Sequence, residues 1–293
     1  MNEILAATLY AAFIWWFTTG VIVYLDGLPR STYRWSMLGA TVIGLVALYA
    51  LARSSADSSV AAAYCAFTCA VLVWGWIEVA FLMGYVTGPR KVAAPPGASE
   101  FTRFRCAVAA IIHHELFIVA TGLAVVALTW NEVNQTGTWT FMILWAMRLS
   151  AKLNLFLGVR NRGEEFLPEK MRYLDSFFAR RSMNLLFPVV VTAATALAAI
   201  MWMLSVQPEA SAFTTASLAL AAALLSLAVL EHWLMVLPLS STALWRWAMR
   251  NRRGAAGGGV GRVADSAVGS AAVPAATARP TIEFTGLPLK AAD

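Results

Sequence analysis

Seven long runs of apolar residues, separated by short polar connections, dominate the pattern along this chain. A transmembrane helix needs about 20 consecutive apolar residues, and the runs are close to this length. The connections carry turn signals such as Asp26-Gly27-Leu28-Pro29. The predicted spans are approximately residues 4–25, 35–52, 60–86, 106–130, 138–159, 183–206 and 212–239. The pattern therefore predicts an all-α integral membrane protein, with a bundle of seven transmembrane helices in residues 1–253.

The composition supports this class of protein. Hydrophobic residues make up 59% of the 293 residues and charged residues make up 13%, and the mean hydropathy is +0.66. Soluble domains contain about 45–50% apolar and about 25% charged residues. The apolar excess excludes a water-soluble globular fold, a disordered chain and a nucleic-acid-binding module. We therefore expect a lipid bilayer as the surroundings and no nucleic acid as a partner.

The basic residues are distributed unevenly between the connections. They follow the first, third, fifth and seventh spans: Arg30, Arg34, Arg90, Lys91, Arg103, Arg105, Arg160, Arg162, Lys170, Arg172, Arg180, Arg181, Arg246, Arg250, Arg252 and Arg253. The even-numbered connections contain Arg53 alone. Because cytoplasmic loops carry an excess of Lys and Arg, this alternation predicts a periplasmic N-terminus and a cytoplasmic C-terminus.

Two segments outside the spans have a distinct composition. Residues 160–182 combine charged with apolar residues, and from Pro168 onward the apolar residues recur at helical spacing. We interpret this segment as a cytoplasmic amphipathic connection with a short interfacial helix. Residues 254–293 are rich in Gly, Ala and Ser, which predicts a disordered cytoplasmic tail.

Polar residues inside the predicted spans mark a candidate site. An ionisable side chain at a helix centre costs about 2.5–3.5 kcal/mol on insertion scales, so a group of them on several helices is informative. These positions are Glu78, His113, His114, Glu115, Arg148, Lys152, Asn154, Glu231 and His232. Counting at about 1.5 Å rise per residue places them in one layer roughly 10–14 Å inside the cytoplasmic boundary. They form one site if the third, fourth, fifth and seventh helices are neighbours.

Four functions are compatible with this polar layer. The first is a network of ion pairs and hydrogen bonds that holds the helices together, for example Glu78 or Glu231 with Arg148 or Lys152. Asn154 is assigned to the same intramembrane polar network. The second is a di-iron-like metal site; its candidate ligands are Glu78, His114, Glu115, Glu231 and His232. The usual Glu-x-x-His spacing of such sites is absent from these residues.

The third function is binding of a tetrapyrrole pigment. An imidazole would supply the axial ligand to its magnesium or iron, and the candidates are His113, His114 and His232, with Trp74, Trp76 and Trp233 packing on the ring. The fourth function is translocation of a proton or solute. The sequence does not choose between these functions, nor between His113 and His114 as the residue that faces the interior.

Three segments resemble a known family. They are residues 17–37 (FTTGVIVYLDGLPRSTYRWSM), residues 148–178 (RLSAKLNLFLGVRNRGEEFLPEKMRYLDSFF) and residues 183–189 (MNLLFPV). These strings are similar to the photosynthetic complex assembly protein 2 family, the PuhE-type membrane proteins that are encoded beside the reaction-centre H subunit in purple phototrophic bacteria. The resemblance covers roughly residues 5–240 and not the tail.

The resemblance implies a factor of the bacterial inner membrane that helps to assemble the reaction centre and the core light-harvesting complex. The implied partners are subunits of these complexes or other assembly factors. The implied cofactor is bacteriochlorophyll or one of its precursors, with iron as the alternative. The leading hypothesis is a non-catalytic factor. The alternative is an oxygen-dependent, di-iron-like membrane enzyme of pigment metabolism. The family supplies no catalytic residue to carry over.

Overall fold

The computed structural model describes residues 2–163, 167–238 and 245–249. These residues form seven α-helices: α1 (Asn2–Asp26), α2 (Tyr33–Ser54), α3 (Val60–Leu82), α4 (Glu100–Leu128), α5 (Thr136–Leu157), α6 (Leu186–Ser205) and α7 (Ala212–Val236). Two short 3₁₀ helices, Arg30–Thr32 and Glu169–Phe177, lie in the connections. All seven α-helices are long and apolar enough to cross a membrane, which confirms the predicted all-α class and the number of spans.

Serine caps explain where three of the helices begin. The hydroxyls of Ser59, Ser99 and Ser211 each accept a hydrogen bond from a backbone N–H in the first turn of α3, α4 and α7. Such a cap satisfies a donor that has no partner within the helix. Because Ser99 sets the start of α4, this helix begins six residues before the predicted position 106. Arg103 and Arg105 therefore belong to α4 and not to the preceding connection.

The α3 and α7 helices form the centre of the bundle, and α2 and α6 lie on its flanks. The central helices are rich in buried alanine, which lets neighbouring backbones approach closely. At the α2–α5 crossing, a Cβ atom on Gly137 would lie 2.3 Å from Cδ1 of Leu51. A larger residue at this position would have to displace the Leu51 side chain.

The connection after α3 folds back against α4. The helix ends at Leu82, before the predicted position 86, and Gly84 follows with a φ of +74°. The backbone N–H of His114 donates to the carbonyl oxygen of Thr87 at 3.0 Å, and the N–H of Arg90 donates to Ala109 at 3.2 Å. Irregular backbone at membrane depth is tolerated where protein satisfies its polar groups in this way.

The 3₁₀ helix Glu169–Phe177, which we call the 3₁₀ segment, covers one end of the bundle. Its buried residues Met171, Leu174 and Phe177 pack against α3 and α4, so its apolar side contacts protein. We call this end the basic end, because the connections after α1, α3 and α5 meet there. Lys170 of the 3₁₀ segment lies 4.2 Å from the ring of Tyr33, at the start of α2. The tail predicted for residues 254–293 lies outside the described residues.

Candidate functional site

A partly open cavity of about 850 Å³ lies between the helices near the basic end. Helices α1, α3, α4, α5 and α7 and the 3₁₀ segment line it. Its aromatic walls include Trp15, Trp74, Phe81, Phe177 and Trp245. Its polar lining includes Glu78, Arg148, Lys152, Glu231 and His232. The volume lies within the range of about 300–1,000 Å³ that is usual for small-molecule sites, which are mostly apolar with a few polar groups.

The helices that carry the polar layer are neighbours. Helices α3, α5 and α7 contact one another, and α4 contacts both α3 and α5. This is the arrangement on which the prediction of a single site depended. Glu78, Lys152 and Glu231 lie about 6–8 Å before the ends of their helices at ~1.5 Å rise per residue. They are closer to the helix ends than expected, because α3, α5 and α7 all end earlier than their predicted spans.

Two ion pairs tie α5 to its neighbours. Nη2 of Arg148 lies 3.1 Å from Oε2 of Glu78 on α3, and the Glu78 side chain is 8% exposed. Nζ of Lys152 lies 2.5 Å from Oε1 of Glu115 on α4. Glu115 does not line the cavity, so the Lys152 ammonium is held at the cavity wall by a carboxylate behind it. The sequence suggested Glu78 or Glu231 as the partner of Arg148 or Lys152, and in the structure Arg148 pairs with Glu78 whereas Lys152 pairs with Glu115.

Glu231 differs from the other two carboxylates. Its Oε1 atom accepts a hydrogen bond from the indole N–H of Trp15 on α1 at 3.2 Å. Within the described ranges of the chain, no Lys, Arg or His nitrogen lies within 4.0 Å of its oxygens. Two cations therefore face three carboxylates in this layer, and the carboxylate without an ion pair is Glu231.

Asn154 serves the scaffold and does not line the cavity. Its side-chain amide donates to the backbone oxygen of Ser150 at 3.0 Å. Asn184, at the start of α6, donates to Oδ1 of Asn154 at 3.0 Å and to the backbone oxygen of Gly158 at 3.0 Å. The Oδ1 atom of Asn184 accepts from the backbone N–H groups of Leu186 and Phe187, so one side chain joins α5 to the first turn of α6.

The three histidines occupy three different environments. His114 is fully buried, and its ring stacks on Phe81 with centroids 4.2 Å apart. Neither of its ring nitrogens has a hydrogen-bond partner among the residues that the structure describes. His113 is exposed on the outer face of α4. The sequence did not distinguish His113 from His114 as the residue that faces the interior. In the structure it is His114.

His232 is the one histidine that lines the cavity, and both of its nitrogens are in use. Nε2 lies 2.9 Å from the Ser150 hydroxyl, and Nδ1 lies 2.9 Å from the carbonyl oxygen of Ala228. An axial ligand to a pigment needs a free ring nitrogen that points into the cavity. His113, His114 and His232 do not provide one in this arrangement.

The candidate iron ligands are not brought together. Over the described part of the chain, no three His, Cys, Asp or Glu side chains form a group that could hold a metal ion. Glu78 and Glu115 point to different cations, Glu231 contacts an indole, and His232 bonds to Ser150. The residues present therefore do not fit a di-iron site.

The three tryptophans predicted to pack on a pigment ring do not all line the cavity. Trp74 lines the cavity, whereas Trp76 packs on Phe117 and Gly44, and Trp233 packs on Phe187. Trp15 and Trp245 line the cavity instead. Sequence reasoning did not place them there, because a tryptophan near a span end usually belongs to the interfacial belt. The adjacent pair Trp15-Trp16 on an apolar helix carries no signal that separates the two positions.

The fold and this cavity define a seven-helix protein with a charged chamber inside an apolar bundle. The family described as "Protein of unknown function (DUF3623)" matches residues 1–256, and the chain belongs to this family. A relative in Rhodobacter capsulatus, described as "Uncharacterized 30.4 kDa protein in puhA 5'region", is 39% identical over 253 residues. The match covers 85% of this chain and 92% of the relative. No solved structure matches the chain.

Proposed function

We propose that this protein is a membrane factor for assembly of the photosynthetic reaction centre and core light-harvesting complex, and that it binds bacteriochlorophyll or a precursor in the cavity. The relative from the puhA 5' region supports a link to photosynthesis genes. The similarity of residues 17–37, 148–178 and 183–189 to the photosynthetic complex assembly protein 2 family supports the assembly role.

The observation that carries the proposal is the cavity itself. A chamber of about 850 Å³ with indole and phenyl walls suits a flat, largely apolar ring. The polar groups that α3, α5 and α7 contribute to the lining would orient a ring that has a polar centre or edge.

Binding and delivery fit the chamber better than catalysis. Two of the charged groups that face it are held in ion pairs, Arg148 by Glu78 and Lys152 by Glu115. These pairs fix the geometry of the cavity wall. The partners in this proposal are reaction-centre or light-harvesting subunits or other assembly factors.

The proposed location is the inner membrane of a phototrophic bacterium, with the basic end on the cytoplasmic side and the N-terminus in the periplasm. The charge difference between the odd and even connections supports this orientation. A pigment bound near the basic end would then lie in the cytoplasmic half of the bilayer.

The test is a comparison of two alanine substitutions on α5. Ala151 lines the cavity, whereas Ala146 is exposed on the outside of the same helix. Ala151→Phe should exclude the pigment from the purified protein and lower the reaction-centre content of phototrophic cells. Ala146→Phe should change neither quantity. Equal pigment content in wild type and both variants, measured by absorption after purification in mild detergent, would contradict the proposal.

A further inference from the structure

The polar layer contains a carboxylate, Glu231, that has no ion pair among the described residues. Arg148 pairs with Glu78 and Lys152 pairs with Glu115, each through a single nitrogen–oxygen contact. Glu231 remains, and its contact in the described residues is the Trp15 indole at 3.2 Å. An ionisable side chain without an ion pair is costly inside a membrane, so a residue of this kind marks a candidate functional position.

Glu231 is also accessible from the cavity. Its side chain is exposed and lines the chamber, and Trp15 contacts Oε1 and not Oε2. Oε2 has no hydrogen-bond partner in the part of the chain that is described. The atom is not buried. The indole hydrogen bond fixes the carboxylate on one side and leaves a lone pair free on the other.

The surroundings favour a hard cation as the partner. Carboxylate oxygen is a preferred ligand of Mg²⁺, and the imidazoles of this layer are buried, bonded or outside the cavity. The magnesium at the centre of a chlorin ring has an open axial position for one such oxygen. Aromatic side chains from α1, α3 and the 3₁₀ segment, Trp15, Trp74 and Phe177, provide faces for the ring around it.

From these contacts we infer that Oε2 of Glu231 is the axial oxygen ligand to the magnesium of the bound pigment, an inference that rests on the proposed function. The carboxylate donates one electron pair to the metal, and no covalent bond breaks. Trp15 orients the carboxylate through its N–H group. The site therefore selects magnesium-containing tetrapyrroles over the same rings without metal.

The experiment uses two probes that differ only in the metal. Wild-type protein in lipid nanodiscs is titrated with bacteriochlorophyll a and with bacteriopheophytin a, and binding is followed by quenching of tryptophan fluorescence. We expect the magnesium form to bind about tenfold more tightly, which is the lower end of the effect that loss of an outer-shell partner has on metal affinity. The visible band of the bound pigment, which is sensitive to coordination of the magnesium, should shift on binding.

The Glu231 variants separate ligation from shape. Glu231→Leu should remove both the preference for magnesium and the band shift, while Glu231→Gln, which keeps the side-chain size and a weaker oxygen donor, should retain part of each. His113→Leu should behave like wild type, and so should Glu132→Leu, a matched loss of a carboxylate in the connection between α4 and α5.

Each outcome decides between the two proposals. Failure of wild type to bind either pigment would overturn the proposed function. Equal binding of the two pigments by wild type, or an unchanged preference in Glu231→Leu, would overturn Glu231 as the ligand and leave pigment binding intact. Loss of the preference in His113→Leu would transfer the ligand role to the imidazole on the outer face of α4.

Discussion

Arg148 on α5 donates from Nη2 to Oε2 of Glu78 on α3 at 3.1 Å, and this contact joins two central helices at the wall of the cavity. Lys152 lies one turn further along the same helix and contacts Glu115 on α4 at 2.5 Å. The α5 helix therefore uses one face to hold two neighbours, and the same face borders the chamber.

Loss of one partner of the Arg148–Glu78 pair should destabilise the bundle more than loss of both. Arg148→Met leaves a buried carboxylate without its cation. Breaking a fully buried pair costs about 3–5 kcal/mol, and the cost is smaller here because the Arg148 side chain is 41% exposed. We expect a lower thermal unfolding temperature for Arg148→Met and a recovery of most of this loss in Arg148→Met combined with Glu78→Gln. Unfolding temperatures measured in one detergent test this, and an additive double variant would refute the coupling.

The two buried histidines should respond in opposite ways to replacement by leucine. His114 has no hydrogen-bond partner in the described residues and stacks on Phe81, so a leucine of similar volume removes an unsatisfied polar group. We expect His114→Leu to keep or raise the unfolding temperature. His232→Leu removes bonds to Ser150 and Ala228 and should lower stability by about 1–3 kcal/mol. A larger loss for His114→Leu than for His232→Leu would contradict these environments.

The connection that follows α3 packs against α4, and this contact should depend on Gly88. A Cβ atom there would lie 2.2 Å from the backbone oxygen of Ala109 and 2.6 Å from the carbonyl carbon of Ala110, so Gly88→Ala must displace the connection. We expect a clear fall in unfolding temperature. Gly39→Ala is the control, because nothing lies within 4 Å of its Cβ position, and helical alanine is favoured over glycine by about 0.5–1 kcal/mol. Equal effects of the two substitutions would contradict the close approach.

The stability of the basic end should depend on pH through Lys170. Burial lowers the pKa of the Lys170 ammonium below its usual value, with Asp26 opposing and Arg30 reinforcing the change. A lysine whose pKa is lower in the folded than in the unfolded state destabilises the folded state at a pH where it is charged in both states. This destabilisation decreases as the pH rises from the folded-state pKa towards the unfolded-state pKa. Wild type should therefore gain stability in that alkaline window relative to Lys170→Met.

Thermal unfolding at several pH values between 7 and 10.5 measures this difference. Lys170→Met keeps an unbranched side chain against Tyr33 and Gly84 but cannot titrate. The unfolding temperature of wild type should rise relative to that of Lys170→Met as the pH increases. A constant offset between them would show that the ammonium carries no penalty at this position.

Cysteine labelling should place the basic end in the cytoplasm. Val92 is exposed in the connection after α3, and Glu209 is exposed at the opposite end of the bundle. After replacement of Cys65, Cys69 and Cys106, a membrane-impermeant maleimide added to spheroplasts should label Glu209→Cys and not Val92→Cys. Labelling of Val92→Cys alone would reverse the proposed orientation.

Several features of the site depend on contacts that no local pattern contains. Glu78, Arg148, Lys152 and Glu231 could be recognised as one layer from their depth in separate spans. Which cation meets which carboxylate depends on the order of α3, α4, α5 and α7 around the bundle. The choice between His113 and His114 depends on the rotation of α4, which the uniformly apolar neighbours along its sequence do not reveal.

The sequence by itself determined the number of spans, the all-α class, the alternation of basic and neutral connections and the residues of the polar layer. These properties are local, because hydropathy and length over about 20 residues decide whether a helix can cross a bilayer. Tertiary structure alone decided the ion-pair partners, the cavity with Trp15 and Trp245 in its wall, and the unpaired state of Glu231. In a bundle that is apolar on every side, small residues and polar contacts between helices set the packing, and these appear only when the helices meet.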